Sequence, residues 1–414
     1  MTTPRALPLG LPLLVPLLPA LLAACAAAAT APGEPPPPGA CRPEPGWHRP
    51  GEGATVAHGR LLRELAGRRV VLLGEQHETA AHHRWQLSVL AGLRALREDL
   101  VLGLEMFPPS AQPALDRWVA GELTPRQLLR EAGWERHWNF DPALYLPLFE
   151  YARLHRIPML ALNAEREAVA RVRRGGWEAL EAAERERLGR PVPAPPAYLR
   201  LLAASFLQHA GRAHGEEGPA RIPPEHREAF RRFVDGQLLW DRAMARAIAD
   251  ALERRGPSGR PPPTRAPLVV ALMGGGHLMH RLGVPRQLED LGVKETAVLM
   301  PWEGRLGCEQ LERGYADAVF VFPPLPEDPP PRLGVYLEPR RDGVAVRQVV
   351  PGSVAERAGL RPGDLLVEVA GRPVRGLEQV VRAVRRMPPG AWLPLAVERD
   401  GRRLELTARF PPAP

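Results

Sequence analysis

Between residues 55 and 322, short apolar runs alternate with longer stretches in which apolar residues recur every three or four positions. The runs at 69–74, 100–105, 158–162, 267–273 and 295–300 are continuous rather than alternating, which predicts strands buried on both faces. Helical stretches between such strands give crossover connections and parallel pairing. The pattern therefore predicts an α/β domain, a largely parallel sheet with helices on both faces. The longest helical periodicity spans 225–255, and a Gly- and Pro-rich loop at 256–264 follows it.

Two compositional breaks divide the chain. Residues 26–46 are rich in Ala, Pro and Gly and read as a flexible tether, and a second Pro-rich stretch occupies 323–331. The expected division is a leader at 1–24, a tether at 25–46, the α/β domain at 47–322, a linker at 323–331 and a small C-terminal domain at 332–412. The leader carries Arg5 and then an apolar stretch to Ala24 interrupted by prolines at 8, 12, 16 and 19. Those prolines make a poor permanent membrane helix and a plausible secretory signal. Leu22-Ala23-Ala24-Cys25 resembles a bacterial lipobox, which implies a lipidated Cys25 and a membrane-anchored mature chain. Cleavage at a following alanine is the alternative. Residue 26 is Ala rather than Asp, which favours the outer membrane, facing the periplasm. The other cysteines, Cys41 and Cys308, either pair in that oxidising compartment or remain two free thiols.

The chemistry gathers at the ends of the predicted strands. One strand runs into Gly74-Glu75-Gln76-His77, the next into Glu105, the third into Asn163 and the fourth into Gly274-Gly275-Gly276-His277. Ligands of open α/β sheets bind outside the carboxyl ends of the strands, so Glu75, His77, Glu105, Asn163 and His277 are expected to converge on one cofactor site. Buried carboxylates at strand ends are costly unless paired with a histidine, a cation or a backbone donor. Turn glycines followed by a helix-capping histidine are the plainer reading. His82 and His83 follow on the next helix; His83 shares a face with Leu87 and Leu90 and is expected to support the site rather than to bind its ligand. After the second strand come Trp134, His137, Trp138, Phe140 and Tyr145, an aromatic segment expected to cover the sheet end. Flat aromatic walls near His or Tyr suit a porphyrin, although ordinary helix packing uses the same residues.

Charge adds little to this picture until it is located. The chain has 55 basic and 47 acidic residues, a formal charge of +8. Residues 331–414 hold 15 of the basic and 9 of the acidic ones, so most of the excess lies in the C-terminal segment. No basic run of five or more occurs, and no nucleic-acid partner is expected. A cationic domain beside a lipid anchor favours an anionic membrane surface or acidic peptides.

Two resemblances sharpen these expectations. Leu333-Gly334-Val335, Pro351-Gly352-Ser353-Val354-Ala355 and Arg361-Pro362-Gly363-Asp364 resemble a bacterial PDZ domain over nearly all of 332–412. That resemblance implies that the backbone N–H groups of Leu333, Gly334 and Val335 hold the C-terminal carboxylate of a peptide or protein, which adds as a strand. Leu72 to Glu78, Leu104 to Pro108, Gln112 to Trp118, Trp134 to Tyr145, Ala161 to Glu165, Asp241 to Ala245 and Met273 to His277 resemble the ChaN family. These are haem-binding uptake lipoproteins of the Tiki superfamily. The resemblance implies a bacterial cell-envelope lipoprotein that binds haem or iron for uptake, and it leaves a homodimer open. The same superfamily includes metal-dependent proteases and esterase-like hydrolases built on paired Gly-x-x-His motifs. By that alternative His77, Glu105 and His277 hold a divalent metal ion, and Glu75 or Glu105 serves as general base.

Overall fold

A computed structural model of the chain describes residues 43–412, apart from 139, 210–221, 254–265, 303, 324–330 and 341. The leader, Cys25, Cys41, nearly all of the tether and linker, and the loop at 256–264 lie outside the described residues. Two sheets form. The first has eight strands: β1 (Gly46–His48), β2 (Thr55–Val56), β3 (Val70–Glu75), β4 (Leu100–Leu104), β5 (Met159–Ala161), β6 (Leu268–Gly274), β7 (Thr296–Pro301) and β8 (Ala318–Val321). Their order is β2-β1-β8-β7-β3-β6-β4-β5.

The six strands from β8 to β5 in that order are all parallel. β1 and β2 add antiparallel at one edge. These short edge strands and β8 were not among the expected ones. Alternate residues of each central strand enter opposite cores, as the period-two geometry of a strand requires. Val71, Leu73, Leu102, Leu104, Leu268, Val270 and Leu272 join one core, with the helices Ala80–Leu96, Gln112–Ala120 and Leu146–Leu154. Val70, Leu72, Val269, Ala271 and Met273 join the other, under the 27-residue helix Arg227–Glu253. Burial on both faces is why these strands read as continuous apolar runs.

Residues 332–412 form the second, antiparallel sheet. Its strands are β9 (Val335–Arg340), β10 (Gly343–Val349), β11 (Leu365–Val369), β12 (Arg372–Pro373), β13 (Trp392–Arg399) and β14 (Arg402–Arg409). The order is β14-β13-β11-β10-β9, with β12 paired to β11, so β9 lies at an edge. The helix Leu377–Arg385 packs Val380 and Val384 into this domain's own core. Cys308 is disulfide-bonded. No helix among the described residues is long and apolar enough to cross a membrane.

The double-sided core makes a quantitative expectation. Leu102 is wholly buried in β4, whereas Leu154 is 76% exposed. Leu102→Ala should lower the unfolding free energy by about 2–5 kcal/mol in urea denaturation, and Leu154→Ala should change it by less than about 0.5 kcal/mol.

Candidate functional site

β3, β6 and β4 are neighbours in the sheet, and β5 lies beside β4. Parallel neighbours about 5 Å apart bring their carboxyl ends into one row, so Glu75, His277, Glu105 and Asn163 meet although up to 202 positions separate them in sequence. Glu75, the last residue of β3, is buried, and four side chains satisfy it. The Tyr145 hydroxyl donates to Oε1 at 2.8 Å and the Gln86 amide to Oε2 at 3.0 Å. His77 Nδ1 is 2.8 Å from Oε1, and His83 Nδ1 is 3.4 Å from Oε2. His83 also contacts the His77 carbonyl through Nε2 at 3.0 Å, so it braces the loop that carries His77.

The second half of the site is a buried imidazole between two carboxylates. His277 Nδ1 lies 2.5 Å from Asp241 Oδ1, and its Nε2 lies 3.3 Å from Glu105 Oε1. Glu105 Oε2 accepts the Gly274 backbone N–H at 2.6 Å, and Asp241 Oδ2 accepts the Tyr198 hydroxyl at 2.7 Å. Gly274 cannot carry a side chain here: a Cβ would stand 2.9 Å from His77 Cε1 and 3.7 Å from Glu105 Oε2. Glycine at this position is what lets the two strand ends close on each other.

Burial alone would push His277 down, but the Glu105 and Asp241 carboxylates outweigh it and hold His277 up to about 10. Glu105 is the converse. Burial pushes it up, yet the charges of His277 and His77 and the Gly274 N–H bring it to about 2. Burial holds Asp241 above the usual carboxylate range against the pull of His277. For His77, desolvation is outweighed by the bond to Glu75 and the charge of Glu105, so its pKa is raised. At neutral pH, His277 and Glu105 therefore form an ion pair.

This arrangement differs from an open metal-ligand set. Both nitrogens of His277 face carboxylates, and Nδ1 of His77 is engaged by Glu75. Among the described residues, no group of three or more His, Cys, Asp or Glu is arranged to hold a metal ion. Asn163 also takes a backbone role. Its amide donates to the Glu105 carbonyl at 2.8 Å and its oxygen accepts the Ala164 N–H at 2.8 Å, which fixes the turn after β5. Asp241, Tyr198 and Gln86 were absent from the expected site, and the packing around two of them explains how they were visible. Asp241, Met244, Ala245 and Ile248 repeat at helical spacing and are all buried, as are Gln86, Val89, Leu90 and Leu93. A lone polar residue on an apolar helical stripe is a buried group awaiting a partner.

Above the cluster opens a groove of about 800 Å³ whose walls include Trp138 and Trp240. Trp138 meets His77 edge-on at 4.5 Å between centroids, and Trp240 meets His277 edge-on at 6.5 Å. Arg136, Arg166 and Arg173 line the same groove, with Asn163 and His137. Arg136 is paired with Glu167, whereas neither Arg166 nor Arg173 is ion-paired among the described residues. Arg173 lies over the Trp240 ring at 4.8 Å.

The C-terminal domain has its own groove of about 440 Å³, between the Leu333–Leu337 stretch and Val380, Val381, Val384 and Arg385. Gly334 has φ +83°, and a Cβ there would stand 2.3 Å from that of Ser353, so only glycine fits this turn. Arg385 also reaches the α/β domain, its Nη1 lying 3.7 Å from Glu78 Oε1. Arg386 holds the Asp141 carboxylate in a two-pronged contact, Nε at 2.7 Å, and outweighs burial to lower the pKa of Asp141.

The ion pair sets a pH dependence. Glu105, with a folded pKa below the ordinary carboxylate value of 4.5, contributes stability that is present above 4.5 and lost as pH falls towards about 2. His277, raised from 6.5, contributes stability that is complete below 6.5 and lost as pH rises through about 10. The contribution of the pair should therefore be greatest between pH 4.5 and 6.5. Glu105→Gln should cost about 3–5 kcal/mol near pH 6 and flatten the acid limb of a plot of unfolding free energy against pH. It should also shift the His277 ring resonance titration downwards.

Comparison with known proteins places this architecture. ChaN of Campylobacter jejuni, whose structure shows cofacial haem binding, superposes with a TM-score of 0.51 at 16% identity, covering 67% of this chain and 96% of that one. This is a likeness of fold. The putative serine protease HhoA of Synechocystis is 39% identical over 74 residues, 18% of this chain and 19% of that protein. The regulator of sigma-E protease RseP of Escherichia coli is 38% identical over 88 residues, 21% of this chain and 19% of that protein. The chain thus spans about a fifth of the length of these curated relatives. Residues 345–399 match the PDZ domain family. Residues 61–288, more than half of the chain and including every member of the buried cluster, match the family described as haem-binding uptake, Tiki superfamily, ChaN, and the chain belongs to that family.

Proposed function

We propose that the chain is a cell-envelope lipoprotein, anchored through Cys25 in the outer membrane and facing the periplasm. In this reading it binds haem at the carboxyl end of its α/β sheet for haem or iron uptake, and its PDZ domain binds peptide C-termini. The observation that carries the haem reading is the groove at that sheet end, walled by Trp138 and Trp240 and lined by Arg136, Arg166 and Arg173. These residues fit the group. Haem is a flat apolar ring with two carboxylates, and the groove offers aromatic surface together with two guanidiniums that have no acidic partner among the described residues. Bound there, haem would supply an iron centre able to take a protein ligand. The part of this chain is to hold the ring and to keep the floor beneath it dry and charged.

Hemin added to the purified full chain should give a shifted Soret band with saturable stoichiometry. No shift and no saturation would remove the haem reading. For the anchor, palmitate labelling should be present in the wild type and lost in Cys25→Ser, and labelling that persists would exclude this attachment point.

A second reading, a metal-dependent hydrolase, is favoured by one observation. His77 and His277 are each backed on Nδ1 by a carboxylate, the orientation that metal-binding imidazoles commonly have. Its test is metal-dependent peptide or ester cleavage that is lost in both His77→Ala and His277→Ala. Equal activity in wild type and variants would dismiss it.

In the PDZ groove, Arg385 stands on the same cleft as the Leu333–Val335 turn and also beside Glu78. A peptide carboxylate entering the groove competes with Glu78 for that guanidinium. An exposed pair is worth at most about 1 kcal/mol, so Glu78→Gln should tighten binding of an apolar C-terminal peptide by up to about fivefold in fluorescence anisotropy. Unchanged or weaker binding would separate the groove from the α/β domain.

A further inference from the structure

The haem reading leaves open which side chain meets the iron. Protein ligands to haem iron are His, Met, Cys or Tyr. Of the residues that line the groove, His137 alone belongs to that set. The other two histidines of the site do not line the groove: His77 is bonded through Nδ1 to Glu75 and meets Trp138 edge-on, and His277 is held between Asp241 and Glu105. Tyr145 and Tyr198 are fully buried and donate to Glu75 and Asp241.

His137 differs from all of these. Its Nδ1 is buried and has no hydrogen-bond partner among the described residues. An unsatisfied buried ring nitrogen costs about 1–3 kcal/mol, so turning it towards a ligand breaks no bond and removes a penalty. Gly133, at φ +65°, leaves the space against which the ring lies: a Cβ there would be 2.8 Å from Cδ2. Burial, with the charge of Arg136 next, lowers the pKa of His137 below the ordinary imidazole value, so the ring is uncharged at neutral pH and has a lone pair to give.

Resting on the haem reading, we propose that His137 is the axial ligand of the haem iron, with Arg166 and Arg173 receiving the two propionates. The guanidinium of Arg173 lies between Trp240 and Gly236, where a Cβ would meet its Nε at 2.8 Å, so it is already ordered for an incoming carboxylate. Arg166 donates to the Arg136 carbonyl, which seats it at the other part of the same wall. Iron ligation and carboxylate recognition are thereby assigned to different residues and can be measured apart.

The test uses the full chain with two probes, ferric hemin and iron-free protoporphyrin IX. His137→Ala should bind hemin at least tenfold more weakly, lose the wild-type Soret position and ferric electron paramagnetic signature, and regain a nitrogen-ligated spectrum on addition of imidazole. Its affinity for protoporphyrin IX, read by porphyrin fluorescence, should stay within about twofold of wild type, which also shows that the variant is folded. The double variant Arg166→Gln, Arg173→Gln should weaken both probes at least tenfold. A wild-type hemin spectrum in His137→Ala, or a ligand signature lost in His77→Ala instead, overturns the assignment of His137 while haem binding stands. Unchanged affinity for both probes in the double arginine variant overturns the propionate assignment. Binding of neither probe by the wild type overturns the haem reading and this proposal with it.

Discussion

The site depends on one buried positive charge, the imidazolium of His277 held between Asp241 and Glu105. An isolated charge at this depth would be expelled by its desolvation cost, and two buried carboxylates without it would repel one another. Together they persist, and each belongs to a different element. Asp241 projects from the long helix Arg227–Glu253, Glu105 from the end of β4, and His277 from the turn after β6. The same contact that balances the charges therefore ties the helix layer to two neighbouring strands at the end of the sheet where the groove opens.

The sheet was legible because continuous apolar runs have few alternatives in a chain of this length, and the strand-end residues Glu75, His77, Glu105, Asn163 and His277 do come to one place. The residues that were not legible share a cause: they lie on helix faces or in the aromatic segment rather than at strand ends. Asp241 and Gln86 sit on apolar stripes, where periodicity names the stripe and passes over its exception. Tyr145 was read as an aromatic wall, yet its hydroxyl is the donor that holds Glu75. Trp240 drew no notice within a long helix, and only the fold sets it opposite Trp138 on one groove. Asn163 was legible by position but not by role, since nothing in its sequence context shows that its amide is spent on the backbone of Glu105 and Ala164.

The cluster and the groove divide the work of the site by burial. His277 is charged, paired and fixed, so it acts through the field and rigidity it gives the floor. Of the groove-lining residues, Arg166 and Arg173 have no ion-pair partner among the described residues, and His137 adds a nitrogen with no bond to lose. An unpaired guanidinium near water is tolerated cheaply, whereas an unpaired imidazole nitrogen in the dry is not, so the second is the stronger sign of a missing partner.

The PDZ contact touches this site at two points that flank His77. Glu78 follows His77 directly, and Asp141 caps the turn Pro142–Leu144 that delivers Tyr145 to Glu75. Phe140, beside Asp141, packs against the His77 ring at 5.0 Å. Both contacts come from the C-terminal end of the helix that also lines the groove of the C-terminal domain. Their strength limits what they can do. Arg385 and Glu78 are largely exposed, and such pairs contribute less than about 1 kcal/mol each. The forked contact of Arg386 with the half-buried Asp141 is the stronger of the two. A coupling of that size cannot lock the α/β site open or shut, but it can bias the turn Pro142–Leu144 and, through Phe140, the His77 ring. Release of Arg385 from Glu78 would then be felt beside His77 first, and at the buried ion pair hardly at all.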